Sequence, residues 1–267
     1  MKTVNIFWRE LGNSRKSMIL WGVGLLFIVV SGMSKYDTMK STGRSVNEIF
    51  GAMPKSLQAI FGLTSLDLTT ITGYFGMLFS YLVLMAAIHA VLLGSTMIAK
   101  EERDNTSEFL MAKPVSRTRI IASKLAASLV LLFLFNLVTY GLSAGMVNYY
   151  EPSAGLSGIG RLMIGMLILQ MIFLSVGMAV AAVSRRPRMT VSISTGLLVF
   201  TYILSIAIEL NDKLDALRYI TPFKYFEAEK LVGDTGFKGV YIGLSAVIIL
   251  GAVTLAFVAY QKRDLKI

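Results

Sequence analysis

KEERDNTSEFLMAKPVSR, residues 100–117, decides the architecture of this chain. Eight of its 18 residues are charged, which keeps it out of any hydrocarbon layer. It sits between two apolar segments, about 73–99 and 119–147, each longer than the ~17 residues a helix needs to cross a bilayer. A polar insert of this kind lies at the membrane surface. Asn105 or Thr106 caps a short helix, Glu108 falls near its first turn, Phe109-Leu110-Met111 give it an apolar knob, and Pro114 ends it. A helix so short is marginal in water. The stretch therefore reads as a docking element, held by a partner protein at the membrane surface.

Composition points the same way. Apolar residues make up 55% of the 267 and charged ones only 16%, with a mean hydropathy of +0.66, as in polytopic membrane proteins. A net charge of +10 would suggest nucleic-acid binding in a soluble chain. Here the basic residues flank apolar spans instead of forming an aromatic-interleaved surface, so nucleic acid is not an expected partner and membrane lipids are. The absence of cysteine excludes disulfides, thiol catalysis and cysteine-ligated metals, and a single histidine, His89, excludes a histidine-built metal site in a monomer.

Working outward, six apolar segments stand out, at about 17–34, 73–99, 119–147, 161–183, 189–209 and 239–260. The first lacks a small-x-small cleavage site and is read as an uncleaved span. No ten-residue alternation appears, so the expected fold is all-α, a single transmembrane domain over 1–267, rather than a barrel. With the N-terminus inside, 16 of the 26 Lys and Arg but only six of the 16 Asp and Glu fall on the inner side, so the entire net charge lies there. The positive-inside rule then predicts cytoplasmic termini and a cytoplasmic 100–118 loop.

Residues 1–16, with Phe7 and Trp8 among Arg9, Glu10, Arg15 and Lys16, suit an amphipathic elbow helix at the interface. The outer loop at 35–72 suggests short helices. The other, 210–238, holds Tyr219, Phe223, Tyr225 and Phe226, which suit an aromatic belt, and Pro222, which sets a break between short helices; it reads as a lid-like interfacial cap rather than a ligand site.

His89, Asn136 and Gln170 lie near the middles of spans two, three and four. Polar groups there are costly, so each is a candidate for the translocation path or for interhelical glue. Ala86, Ala90 and Gly94 form a small-residue ladder on span two, and Gly141-Leu-Ser-Ala-Gly145 on span three also predicts close packing. The latter matches Gly-x-Ser-x-Gly, but Ser143 in an apolar helix lacks the strand-turn-helix setting of a hydrolase elbow.

The order Glu101, Thr106, Glu108, Leu110, Pro114, Val115, Ser116, Arg117 between the second and third of six spans resembles the cytoplasmic loop of ABC-2 type transporter permeases. The resemblance extends in architecture over the whole chain. A glycine usually precedes the threonine in that family; Asn105 stands here, and it also starts helices well. In the family this loop carries the coupling helix that docks into a groove on a separate ATP-binding subunit. Membership would imply a permease, most simply an exporter, working as a homodimer or with a second permease. ATP and Mg2+ would be bound by the partner, with no cofactor in this chain. Glu101, Glu102, Arg103 and Glu108 would fix the joint by salt bridges, with Phe109 and Leu110 filling the groove. No Gly-x-x-x-x-Gly-Lys-Ser/Thr loop exists in the sequence, so the chain is not expected to be an enzyme. The implied dimer seam lies near the first span and the outer part of the fifth, and the expected site is a bacterial plasma membrane.

Two other classes compete. A stand-alone secondary transporter or channel usually carries ionisable groups at span centres and repeated halves; no carboxylate lies near a span centre here, and no repeat of the first three spans is evident. A membrane sensor or assembly factor would lack transport altogether. Few intramembrane charges suggest an apolar or amphipathic cargo, and they also fit a polymer channel or ion efflux.

Overall fold

Length and apolarity predict helices wherever the backbone must satisfy its own hydrogen bonds in lipid, and the computed structural model shows them. It describes residues 2–42, 44–61, 66–104, 115–153, 155–184, 186–233 and 236–262. Helix α1 is Lys2–Met33. Three short helices follow, α2 (Tyr36–Thr42), α3 (Arg44–Gly51) and α4 (Lys55–Phe61). Then come α5 (Ile71–Arg103), α6 (Arg117–Tyr150), α7 (Ser157–Val183) and α8 (Pro187–Leu210). Two 3-10 segments, Asp212–Tyr219 and Pro222–Lys224, lead through α9 (Ala228–Val232) to α10 (Gly239–Lys262). No strand occurs among the described residues.

The six long helices are all apolar enough to span a membrane. The shortest has 24 residues, about 36 Å at 1.5 Å per residue, against roughly 30 Å of hydrocarbon. The chain is a multi-pass membrane protein. Each predicted span is present, and most run a few residues longer at their ends. Local chemistry sets these ends: the Thr70 side chain accepts from the Gly73 N–H (3.2 Å) at the start of α5, and Ser116 from Arg119 (3.4 Å) at the start of α6. Pro187 opens α8, where its missing N–H costs nothing.

The predicted elbow does not form a separate helix. Helix α1 passes from Lys2 through Lys16 to Met33 without interruption. The five prolines lie elsewhere, and breaking the ladder at the edge of the hydrocarbon would strand backbone groups there.

Helices α5 and α7 form the centre. Of their most apolar windows 61% and 67% is buried within the protein, against 17% for α1 and 11% for α10. They meet backbone to backbone: a Cβ added at Gly94 would lie 2.2 Å from the Leu174 carbonyl oxygen, and one at Gly177 2.6 Å from that of Val91. Ala86 and Ala90 are wholly buried beside this contact, so the small-residue ladder of α5 packs as predicted. The α6 glycines do not. A Cβ at Gly141 or Gly145 would meet nothing within 4 Å, because those positions face away from the neighbouring helices. Around the centre, α6 packs on α1 and α7, α8 on α5 and α7, and α10 on α7.

Candidate functional site

The charged residues that flank the 100–117 loop gather into one buried cluster. The buried stripe of α6 reads Ile120, Lys124, Ala127 and Ser128, Leu131, a helical spacing that forces Lys124 inward with its apolar neighbours. On α1, Glu10 lies one turn from the buried Ile6 and shares its face. The last turns of α5 bring Lys100 and Glu101 to the same place.

Lys124 has a fully buried side chain, and its ammonium donates to Glu101 Oε2 and to the Met97 carbonyl oxygen, both at 2.5 Å. The other Glu101 oxygen accepts from Arg9 Nη2 at 3.3 Å. Arg9 also reaches Glu10 Oε1 at 3.0 Å, and Lys100 donates to Glu10 Oε2. Glu10 has no exposed side-chain surface. Three cations and two carboxylates thus bind α1, the end of α5 and the start of α6 into one joint. Such a cluster adds little to net stability compared with a well-packed apolar one, but removing a single member leaves an uncompensated buried charge. It therefore fixes geometry strongly.

The joint stands at both feet of the loop. Helix α5 ends at Asp104, whose N–H donates to the Lys100 carbonyl oxygen at 2.9 Å, while Arg103 pairs with the Asp104 side chain on the surface at 2.9 Å. An exposed pair of that kind is worth little. At the other foot, Arg117 Nη1 donates to the Gln261 carbonyl oxygen (2.9 Å) and the Gln261 amide to Thr118 Oγ1 (3.1 Å), tying the end of α10 to α6. Glu102 is half-buried beside Glu101.

Of the predicted loop residues, Glu101 belongs to the joint and Arg103 does not. Thr106, Glu108, Phe109, Leu110 and Pro114 lie outside the described residues. In the sequence Arg9 and Glu10 stand as polar residues of the elbow and, like Lys100 and Lys124, as charges that set orientation; none of the four was singled out as a site residue. The buried stripe around Lys124 was the signal that marks it.

The polar residues of the spans are separated. Asn136 Nδ2 donates to the Met163 carbonyl oxygen at 3.0 Å and joins α6 to α7. His89 stacks on Phe135 (centroids 4.5 Å apart, 9° between planes) with Trp21 edge-on at 5.2 Å, and its Nδ1 has no hydrogen-bond partner. Gln170 is fully buried on α7, and neither amide atom has a partner. The Ser143 hydroxyl is likewise unpartnered, which leaves it without a base.

At the opposite end of the bundle the 211–233 segment forms a cap. The aromatic belt predicted there is largely turned inward. Tyr225 and Phe226 are buried, Tyr225 stacks on Tyr241 (5.0 Å, 10°), and Phe223 packs on Phe173 and Tyr202; Tyr219 alone of the four is exposed. Pro222 opens the second 3-10 segment, as its break predicts. Thr221 Oγ1 donates to the Thr201 carbonyl oxygen at 2.8 Å, and Lys224 is clasped between Glu209 of α8 and Glu227 at 2.6 Å. Burial pulls the Lys224 ammonium down, but Glu227 and Glu209 outweigh it and hold it above the usual lysine range. Beneath the cap lies a cavity of about 130 Å3 lined by Phe79, Ser80, Tyr202, Ser205 and the clasp. Among the described residues no group of three or more His, Asp or Glu could hold a metal ion.

A search of curated proteins finds no match. A family model described as "ABC-2 family transporter protein" matches residues 4–265, nearly the full length of the chain, and on that match the chain belongs to the ABC-2 family.

Proposed function

We propose that this chain is the translocating subunit of an ATP-driven exporter, and that the buried joint turns movement of its 105–114 loop into movement of the membrane helices. The observation that carries the reading is that both feet of the loop enter one charged cluster which also grips α1. A separate subunit would bind ATP and Mg2+, and its closure would push the loop through contacts of Thr106, Glu108, Phe109 and Leu110. The joint would then carry the ends of α1, α5 and α6 as one rigid body.

With the positive-inside orientation, the loop and both termini face the cytoplasm and the cap faces outward, in a membrane taken to be the bacterial plasma membrane. Asn136 is occupied as glue, which leaves His89 and Gln170 as polar groups able to meet an apolar or amphipathic cargo. A second permease copy would pair along the outward face of α1, where Ile19, Leu20, Val23 and Phe27 are exposed, and near α8.

The test is affinity purification of the tagged chain from its native membrane, beside a Phe109→Asp variant, with mass spectrometry of what co-purifies. The parent should bring down an ATPase with a phosphate-binding loop and the variant should not. A chain recovered alone from well-preserved membranes would overturn the reading.

A further inference from the structure

Helices α8 and α10 both pack on α7 and leave an apolar groove of about 490 Å3 over it. That volume is within the range of small-molecule sites, roughly 300–1,000 Å3. Its walls are Val176, Val180 and Val183 of α7, Ile193 of α8, and Gly251 and Leu255 of α10. Val183, Ile193 and Leu255 are about half exposed, so one side is open, and Gly251 leaves width where a side chain would fill the groove.

The groove has one polar end. Ser184, in its lining, accepts from the Arg186 N–H at 3.3 Å, so the arginine stands where the groove meets the membrane surface. Arg188 follows two residues later, and both side chains are exposed. Among the described residues the Arg186 guanidinium donates to Met189 Sδ, at 3.8 Å, a weak acceptor. Among the described residues neither arginine belongs to an ion pair. An apolar slot ending at two uncompensated guanidinium groups is complementary to a molecule with a hydrocarbon chain and an anionic phosphate, the fork of an arginine matching phosphate oxygens.

We propose that the groove between α7, α8 and α10 binds an anionic glycerophospholipid of the adjoining leaflet, its acyl chain on Gly251 and its phosphate on Arg186 and Arg188. This site is distinct from the loop joint and does not depend on the transport reading.

The test places the full chain, with whatever subunits co-purify, in phosphatidylcholine nanodiscs carrying a trace of phosphatidylglycerol or phosphatidylcholine with a photoactivatable acyl chain. Labelled peptides are then mapped by mass spectrometry. The phosphatidylglycerol probe should label 176–184 and 251–255 more strongly than the phosphatidylcholine probe, by about five- to thirtyfold for two surface arginines. Arg186→Gln with Arg188→Gln should erase that preference. Gly251→Leu, at a position where a Cβ meets nothing within 4 Å, should block labelling while the chain keeps its gel-filtration profile. Equal labelling by the two probes, or labelling indifferent to Gly251→Leu, would overturn the proposal. So would the absence of label together with a disulfide between copies carrying Leu255→Cys, which would show that a second copy covers the groove.

Discussion

Lys124→Met removes the ammonium at the heart of the joint while keeping most of the stem. Glu101 Oε2 then loses its partner at 2.5 Å, while Arg9, with 37% of its side chain exposed, still donates to the other oxygen at 3.3 Å. Breaking one side of a buried pair costs about 3–5 kcal/mol; the surviving Arg9 contact places this case near about 3. Glu101→Gln strands the buried Lys124 ammonium on the Met97 carbonyl oxygen and an amide, a loss of roughly the same size. The double variant leaves neither charge unpaired. Its cost should therefore fall short of the sum by about 2–3 kcal/mol. The assay is equilibrium unfolding of the purified chain in mixed micelles at rising denaturing-detergent fraction, read by helicity. Lys124→Met costing under about 1 kcal/mol, or single costs that add within about 0.5 kcal/mol, would refute the joint.

Four further outcomes follow from particular contacts. Gly94→Val pushes side-chain atoms into the Leu174 carbonyl oxygen and should cost about 3 kcal/mol or more, seen as loss of folded protein in detergent. Tyr36→Phe deletes the hydroxyl that donates to Glu151 Oε2 at 2.9 Å and should lower stability by about 1–2 kcal/mol in the same unfolding assay. His89→Phe replaces one ring among rings and should shift stability by less than about 1 kcal/mol, so a large fall in transport with normal stability would mark His89 as lining the path. Lys224→Met should loosen the cap by roughly 2 kcal/mol, measured as faster proteolysis within 211–233. Because Lys224 is held above its free value of 10.5, the clasp contributes fully below that pH and is lost as pH rises through the higher folded value. The difference between parent and Lys224→Met should therefore shrink in strongly alkaline buffer and be constant near neutrality.

The spans were legible because a bilayer turns helix length and apolarity into one signal; the caps Thr70 and Ser116, though local, were not read from the sequence. The Ala86, Ala90 and Gly94 ladder was legible because its spacing lies within one helix. The joint was not, because its contacts run between residues 92, 90 and 23 positions apart, and pairing across helices leaves no trace in local spacing. Lys124 was the exception, a lysine in phase with Ile120 and Leu131. Residues 1–16 had the composition of an interfacial helix, but nothing in them stops a helix, so α1 continues through. The aromatic residues near Pro222 have the composition of a belt on a lid-like cap; the cap is there, but it folds back over α7 and α8 and turns Phe223, Tyr225 and Phe226 inward. For Gly141 and Gly145, spacing suggested a contact, but only the fold decides which helix face has a neighbour.

The most direct test of the account is a pair of pulsed electron-spin distances in the assembled complex, simple to obtain because the chain has no native cysteine. One pair of labels, at Trp8→Cys and Arg119→Cys, spans α1 and α6 within the joint; the other, at Arg119→Cys and Arg188→Cys, spans α6 and α8. All three positions are exposed. The account predicts that ATP leaves the first distance unchanged and shifts the second by several ångströms, on the order of a helix displacement between two packed states. A first distance that changes with nucleotide, or a second that does not, would contradict it.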